Sequence, residues 1–337
     1  MTGGPRRLCS PVASWASRLF RRFWSSPVAG TAGLAAVVGA VTGLGAVAFI
    51  HIIALCQRLF FDGGAQALAG LGGWYVVALP IIGGLMVGPL VHFFAPEARG
   101  HGVPEVMTAM EVRGGRIRPV VILVKTIGSA ITIGSGGSAG REGPIIQIGA
   151  AVGSSLGQLL KIDRSRLLAL VGAGAAGGIA ATFNAPIAGV MFTLEVLVGE
   201  FGVASVSSMV FASVSASVVA RQFLGDYPAF QVPAYELVSN WELLMYLGLG
   251  VLAAGAGLLF MRSLYLAEDI FERWRIPAWL KPALAGIAIG VIGYFLPQVF
   301  GTGFEDINRV LRGEFTFWLL VALVFARILA TSLTLGS

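Results

Sequence analysis

Apolar positions in this chain fall into long unbroken runs. They show neither the alternation of a half-buried strand nor the narrow stripe of a soluble amphipathic helix. Runs of about 18 or more residues recur along the sequence and predict membrane-spanning helices. The first extends from Val28 to Cys56. Ahead of it, Val12, Trp15, Leu19, Phe20 and Phe23 recur every three or four residues, opposite Arg6, Arg7, Arg18, Arg21 and Arg22. That pattern predicts a short amphipathic helix on the cytoplasmic membrane surface, within an N-terminal region spanning residues 1–27. A basic signal-peptide leader is the competing reading, but the run from Val28 to Cys56 is too long for a cleaved apolar core.

Composition agrees with a membrane solvent. Hydrophobic residues make up 56% of the 337 positions, only 12% are charged, and the mean hydropathy is +0.83. A soluble domain so composed would expose far too much apolar surface. The net charge of +6 is spread over loops and the N-terminus, so it reports orientation in a bilayer rather than nucleic-acid binding. Cys9 and Cys56 form neither a disulfide framework nor a metal-ligand cluster, and the sequence calls for no cofactor and no metal.

The chain repeats itself at an offset of 202. Pro80, Gly84 and Gly88 return as Pro282, Gly286 and Gly290, and KTIGSAITIGS (Lys125–Ser135) returns as RILATSLTLGS (Arg327–Ser337). The turn Gly100–His101–Gly102 has its counterpart in Gly301–Thr302–Gly303. Such self-similarity sets the architecture. Basic residues orient the copies: the arginine-rich leader puts the start of the first copy inside. No Lys or Arg intervenes between Arg221 and Arg262, so the polar loop between them reads as external. The second copy therefore enters from the opposite side, and the expectation is an inverted repeat of the kind transporters use. The predicted divisions are a first repeat over 28–224, an external loop over 225–240 and a second repeat over 241–337. In the first copy the matching Gly134–Ser135 opens a glycine-rich loop, whereas the second copy stops at Ser337. The sequence is therefore read as a fragment with an incomplete second repeat. The fold class expected is all-α: a polytopic helical membrane protein with broken and re-entrant helices.

Three motifs carry candidate chemistry. In GSGGSAGREGP (Gly134–Pro144), Gly134, Gly136 and Ala139 satisfy the spacing of a dinucleotide loop. The context is wrong, since an apolar helix precedes it and no acid follows about 20 residues on. In a membrane the same glycines allow an unwound backbone, and Pro144 suits the first turn of the next helix. Helix N-termini attract anions, and irregular backbone at that depth must line a cavity. Glu142 then stands where an anion would bind, either as a removable occupant or permanently paired with Arg141. RGHGVPEV (Arg99–Val106) is a second break before a helix, with His101 either facing an anion or serving as an ordinary loop histidine. In ATFNAPIAGVMFTLEV (Ala181–Val196), Asn184 and Pro186 break and restart a helix. Glu195 there is either a functional acid in an apolar run or a residue at a helix end. Lys125, inside another apolar run, either snorkels or raises the potential around an anion path. A membrane-embedded enzyme is disfavoured, because His51, His92 and His101 belong to separate segments.

Together these residues resemble the CLC family of voltage-gated chloride channels and chloride/proton exchangers. GHGVP (Gly100–Pro104) is similar to that family's GSGIP motif, GREGP (Gly140–Pro144) is identical to its second motif, and FNAPIAGVMFTLE (Phe183–Glu195) is similar to the helix that follows. Lys125 matches the family's lysine ahead of GREGP. The resemblance implies a multi-pass protein of the cell membrane with a cytoplasmic N-terminus. It would act as a homodimer, carrying chloride with protons as a second partner and binding no nucleic acid. It implies Glu142 as the gate, with the backbone around Gly140, Arg141, Glu142 and Gly143 serving outer anion sites. The turn of Gly100, His101, Gly102, Val103 and Pro104 would serve the central one. Two departures bear on activity. His101 stands where the family usually has a coordinating serine, which opens the selectivity question towards fluoride or nitrate. Val196 stands where exchangers often carry an internal proton glutamate, with Glu195 beside it, which favours channel-like or weakly proton-coupled transport over strict antiport. The family's third motif and pore tyrosine would fall after Ser337.

Overall fold

In a bilayer every backbone amide and carbonyl must be satisfied internally, so long apolar runs fold as helices. The computed structural model describes residues 27–199, 202–234 and 239–337. The surface helix expected over residues 1–27 therefore lies, but for Pro27, outside the described residues. The principal helices are α1 (Pro27–Gln57), α2 (Tyr75–Phe94), α3 (Val103–Glu111), α4 (Val120–Gly134), α5 (Glu142–Leu159) and α6 (Arg164–Phe183). They continue as α7 (Pro186–Phe192), α8 (Val203–Leu224), α9 (Glu242–Arg273), α10 (Lys281–Phe295), α11 (Phe304–Leu311) and α12 (Phe317–Gly336). Among the described residues, seven helices are long and apolar enough to cross a membrane, and the extended structure is a single bridge between Ser138 and Gly301.

The repeat is visible element by element. Each copy runs through a long helix, then a one-turn 3-10 segment opened by proline (Pro96–Ala98, Pro297–Val299). Two glycines with positive φ follow: 70° and 95° at Gly100 and Gly102, 68° and 78° at Gly301 and Gly303. A short helix (α3, α11) and a long one (α4, α12) complete each copy.

The copies also pack on each other through their repeated residues. A Cβ on Gly84 would lie 2.6 Å from the Pro282 carbonyl oxygen, and one on Gly286 would lie 2.6 Å from that of Pro80. The next pair is equally reciprocal: Gly88 faces Trp279 and Gly290 faces Val77. Numbers rise along α2 as they fall along α10, so the two helices run antiparallel about a pseudo-two-fold axis. That is the geometry of an inverted repeat, and it depends on small residues that let backbones touch in lipid.

The same device builds the interior. α6 is the most buried long helix, with Leu167 and the stretch from Ala169 to Thr182 all buried. Its small residues meet α5, where Gly149 and Gly174 abut each other's carbonyl oxygens, and α8, where Gly177 touches Ala216. α6 ends because Asn184 takes a left-handed conformation (φ 55°, ψ 38°), and Pro186 restarts the chain as α7.

Candidate functional site

A cavity of about 310 Å³ lies where the two copies meet. Its walls include Gly100 and His101 of the first turn, Lys125 and Gly128 of α4, Gly140, Glu142 and Gly143 of the glycine-rich loop, and Pro282 and Gly286 of α10. Gly102, Val103, Pro104 and Arg141 flank these residues in sequence without lining the cavity. Glu195 and Val196 lie elsewhere, in a π-helical turn (Thr193–Val198) where Glu195 is exposed.

The glycine-rich loop is docked onto the second copy. The Ser138 amide donates to Thr334 Oγ1 at 3.1 Å, and its hydroxyl pairs with Thr331 Oγ1 at 3.0 Å. Gly136, at φ 109°, lies against the Phe300 ring. A left-handed backbone under an aromatic face admits no side chain, which is why this position must be glycine. The loop then delivers the chain into α5 at Glu142. The first amide of α5 with a partner inside the helix is that of Ile145, bonded to the Arg141 carbonyl at 3.1 Å. The amides before it form the open, electropositive end of the helix.

Glu142 folds back over that end. Its Oε2 occupies the space a side chain on Gly140 would need. Arg141 turns the other way: its guanidinium stacks on the Phe304 ring at 4.4 Å and reaches the Thr182 carbonyl at 3.5 Å. Among the described residues, no ion pair joins Arg141 to Glu142.

The first turn meets the loop backbone to backbone, since a Cβ on Gly143 would overlap the His101 carbonyl oxygen. Lys125 is 3% exposed, and its ammonium donates to the Ala98 carbonyl at 2.9 Å and the Gly100 carbonyl at 2.7 Å. It neither snorkels nor stands free; it fastens the turn that presents His101. The Gly102 amide donates to Glu105 Oε2 at 3.1 Å, so a carboxylate already occupies the N-terminus of α3. Behind the turn, Gln147, also buried, donates to the Glu97 carbonyl at 2.8 Å.

Glu105, in the first turn after the break at Gly102, and Arg327, the repeat mate of Lys125, were legible in the sequence. The site contacts of Thr331, Thr334 and Phe300 escaped it, because they carried no local signal.

The profile of the voltage gated chloride channel family matches residues 83–337. A putative chloride channel protein ClcB-like from Ralstonia nicotianae is 33% identical over 315 residues, covering 90% of this chain and 72% of the relative. An H(+)/Cl(-) exchange transporter ClcA from Vibrio parahaemolyticus is 34% identical over 259 residues, covering 74% of this chain and 55% of the relative. The crystal structure of a slow cyanobacterial Cl−/H+ antiporter superposes with a TM-score of 0.81 at 27% identity, covering 91% of this chain and 73% of that one.

Proposed function

This chain belongs to the voltage gated chloride channel family, and from that premise we propose that it carries chloride, or a similar small anion, through the cavity at the repeat interface under the control of Glu142. One observation supports this reading above the others. The Glu142 carboxylate lies at the open amide end of α5, on the cavity shared with the His101 turn, and among the described residues no ion pair within 4 Å includes it. An ionised carboxylate there takes the place that an anion would take. Protonation removes its claim on the amides and lets it leave. The His101 ring can offer an N–H where the resemblance implies a hydroxyl donor, and this bears on which anion is preferred.

Two readings of proton coupling follow from different observations. The apolar Val196 beside an exposed Glu195 leaves no internal acid at that position, which favours channel-like or weakly coupled transport. The relative named as an exchange transporter and the antiporter structure favour chloride/proton exchange. Both readings place the chain in the cell membrane with its N-terminus in the cytoplasm and pair it into a homodimer.

The test is anion efflux from liposomes containing the protein, with simultaneous recording of external pH, for wild type and Glu142→Gln. Loss of pH-dependent flux control in the variant is expected, and identical flux and pH dependence would remove Glu142 from the mechanism. Protons moving in fixed proportion to chloride would select exchange.

A further inference from the structure

Away from the cavity, the hairpin between α3 and α4 carries a second polar feature. The chain turns through Gly114 and Gly115, both at positive φ (59° and 83°), and three arginines surround the turn: Arg113, Arg116 and Arg164. They border a pocket of about 340 Å³ whose floor includes Ile162 and Leu167. The side chain of Arg164 lies across Gly114, where a Cβ would sit 3.2 Å from its Nε.

The turn is a fixed platform. Ser154, fully buried, accepts from the Ile117 amide at 2.9 Å and donates to the Gly115 carbonyl at 2.6 Å. Gln158 donates to the Ile117 carbonyl at 2.8 Å and to Ser154 Oγ at 2.9 Å. The backbone is thus satisfied from within, and among the described residues no hydrogen bond from the side chains of Arg113, Arg116 or Arg164 holds it.

Close acid partners are also lacking, although Arg113 lies near enough to Glu97 for its charge to act on that carboxylate. The neighbouring arginines each have an acid: Arg118 pairs with Glu97, and Arg166 pairs with Asp163 at 3.3 Å. Among the described residues no ion pair includes Arg113, Arg116 or Arg164. Asp163 is committed to the N-terminus of α6, where it also accepts from Ser165 and the Arg166 amide. Three exposed guanidinium groups held around one pocket repel one another within a Debye length of roughly 8 Å. An anion with several oxygen acceptors relieves that repulsion and matches the fork geometry of arginine.

We propose that this pocket binds a phosphate-bearing anion, most directly the headgroup of an acidic phospholipid in the adjoining leaflet. The hairpin joins α3 to the shorter apolar helix α4, and the pocket offers both apolar lining and a cationic rim. That combination suits a lipid phosphate with an acyl chain beside it. The site is independent of the anion cavity and of how that cavity works.

The experiment titrates the purified full chain, in detergent, with short-chain phosphatidylglycerol, short-chain phosphatidylcholine and inorganic phosphate, and reads the thermal unfolding midpoint. Saturable stabilisation by phosphatidylglycerol is expected. Its apparent affinity should fall by at least about tenfold in the Arg113→Gln/Arg116→Gln/Arg164→Gln variant. The corresponding triple lysine variant should retain an intermediate affinity, and Arg309→Gln, outside the pocket, should retain all of it. Inorganic phosphate acting at the same concentrations as the lipid would assign the site to free phosphate. Equal binding of phosphatidylglycerol by wild type and the glutamine variant would overturn the proposal, as would equal stabilisation by phosphatidylcholine.

Discussion

The reciprocal contact of α2 with α10 makes a prediction whose sign, not only its size, is at stake. In a helix interior, replacing glycine by alanine is ordinarily favourable by roughly 0.5–1 kcal/mol, because glycine loses more backbone entropy on folding. At Gly88 the new Cβ would lie only 1.8 Å from the Trp279 carbonyl oxygen and 2.8 Å from its carbon. Both atoms are backbone, so no side chain can swing aside. The helices must part by about 1 Å along a seam that the repeat has packed to contact. Forcing a methyl into a filled site costs about 1–3 kcal/mol, which outweighs the helix-propensity gain. Gly88→Ala is therefore expected to destabilise. Gly290→Ala, whose Cβ would meet Val77 at 2.7 Å, should destabilise less. The double variant should cost less than the sum by about 0.5 kcal/mol or more, because the first substitution already opens the seam for the second. Gly255→Ala in α9, with nothing within 4 Å, is the control and should be neutral or stabilising. Unfolding midpoints of the purified proteins in one detergent decide the matter. A Gly88→Ala protein as stable as wild type would show that the two copies do not meet as described.

Three further outcomes follow from the site and its surroundings. Lys125→Met removes the only side-chain donor to the Ala98 and Gly100 carbonyls among the described residues. The loss should cost about 1–3 kcal/mol, with relief of a buried charge offsetting part of it. It should also speed amide exchange across residues 98–103, and unchanged exchange would mean that the turn is held by other contacts. His101→Ser should change the ranking of anions in a competition flux assay, and an unchanged ranking would remove the ring from selectivity. At the hairpin, the hydrogen bond from Arg118 holds the Glu97 carboxyl below its ordinary value of 4.5. A depressed carboxylate stabilises the fold above its unfolded value, and that contribution is lost as pH falls through the folded one. The stability difference between wild type and Arg118→Gln should therefore be largest near neutrality and close below pH 4.5. A gap independent of pH would contradict the pairing.

What could be read in advance was local punctuation. Pro104, Pro144 and Pro186 each sit in the first turn of a helix that follows a break, because proline and glycine act on their own stretch of backbone whatever surrounds them. The repeat was legible for the same reason, as a pattern of small residues at fixed spacing. Contacts between distant segments were not. Nothing near Arg141 announces that its guanidinium will stack on Phe304, or that Ser138 will bond with Thr331 and Thr334. Those partners come from the other copy, and only the fold brings them close. Glu195 marks a different limit. In a membrane protein, faces turned to lipid and faces turned inward are both apolar, so periodicity could not say that this acid would be exposed and apart from the cavity.

The two copies share a frame but differ in how they use their charges. Lys125 fastens the first turn through the Ala98 and Gly100 carbonyls; Arg327 does the same for the second through Gln298 at 2.6 Å and Gly301 at 3.5 Å. Each short helix that follows carries acid in its first turn, Glu105 in α3 and both Glu305 and Asp306 in α11. Glu105 turns back to the Gly102 amide, whereas Asp306 turns to Arg327 at 3.6 Å and Arg309 at 3.7 Å. The side chains explain the divergence. Lysine offers a compact ammonium that the two carbonyls largely occupy, which leaves Glu105 to the backbone. A guanidinium has five donors in a broad fork, enough to hold carbonyls and an aspartate together. Lys125 thus leaves its acid on a helix N-terminus beside the cavity, while Arg327 draws its own acid away from the corresponding amide. The two turns are related by a near two-fold axis yet send their acids different ways, and the turn fastened by Lys125 is the one whose His101 lines the same cavity as Glu142.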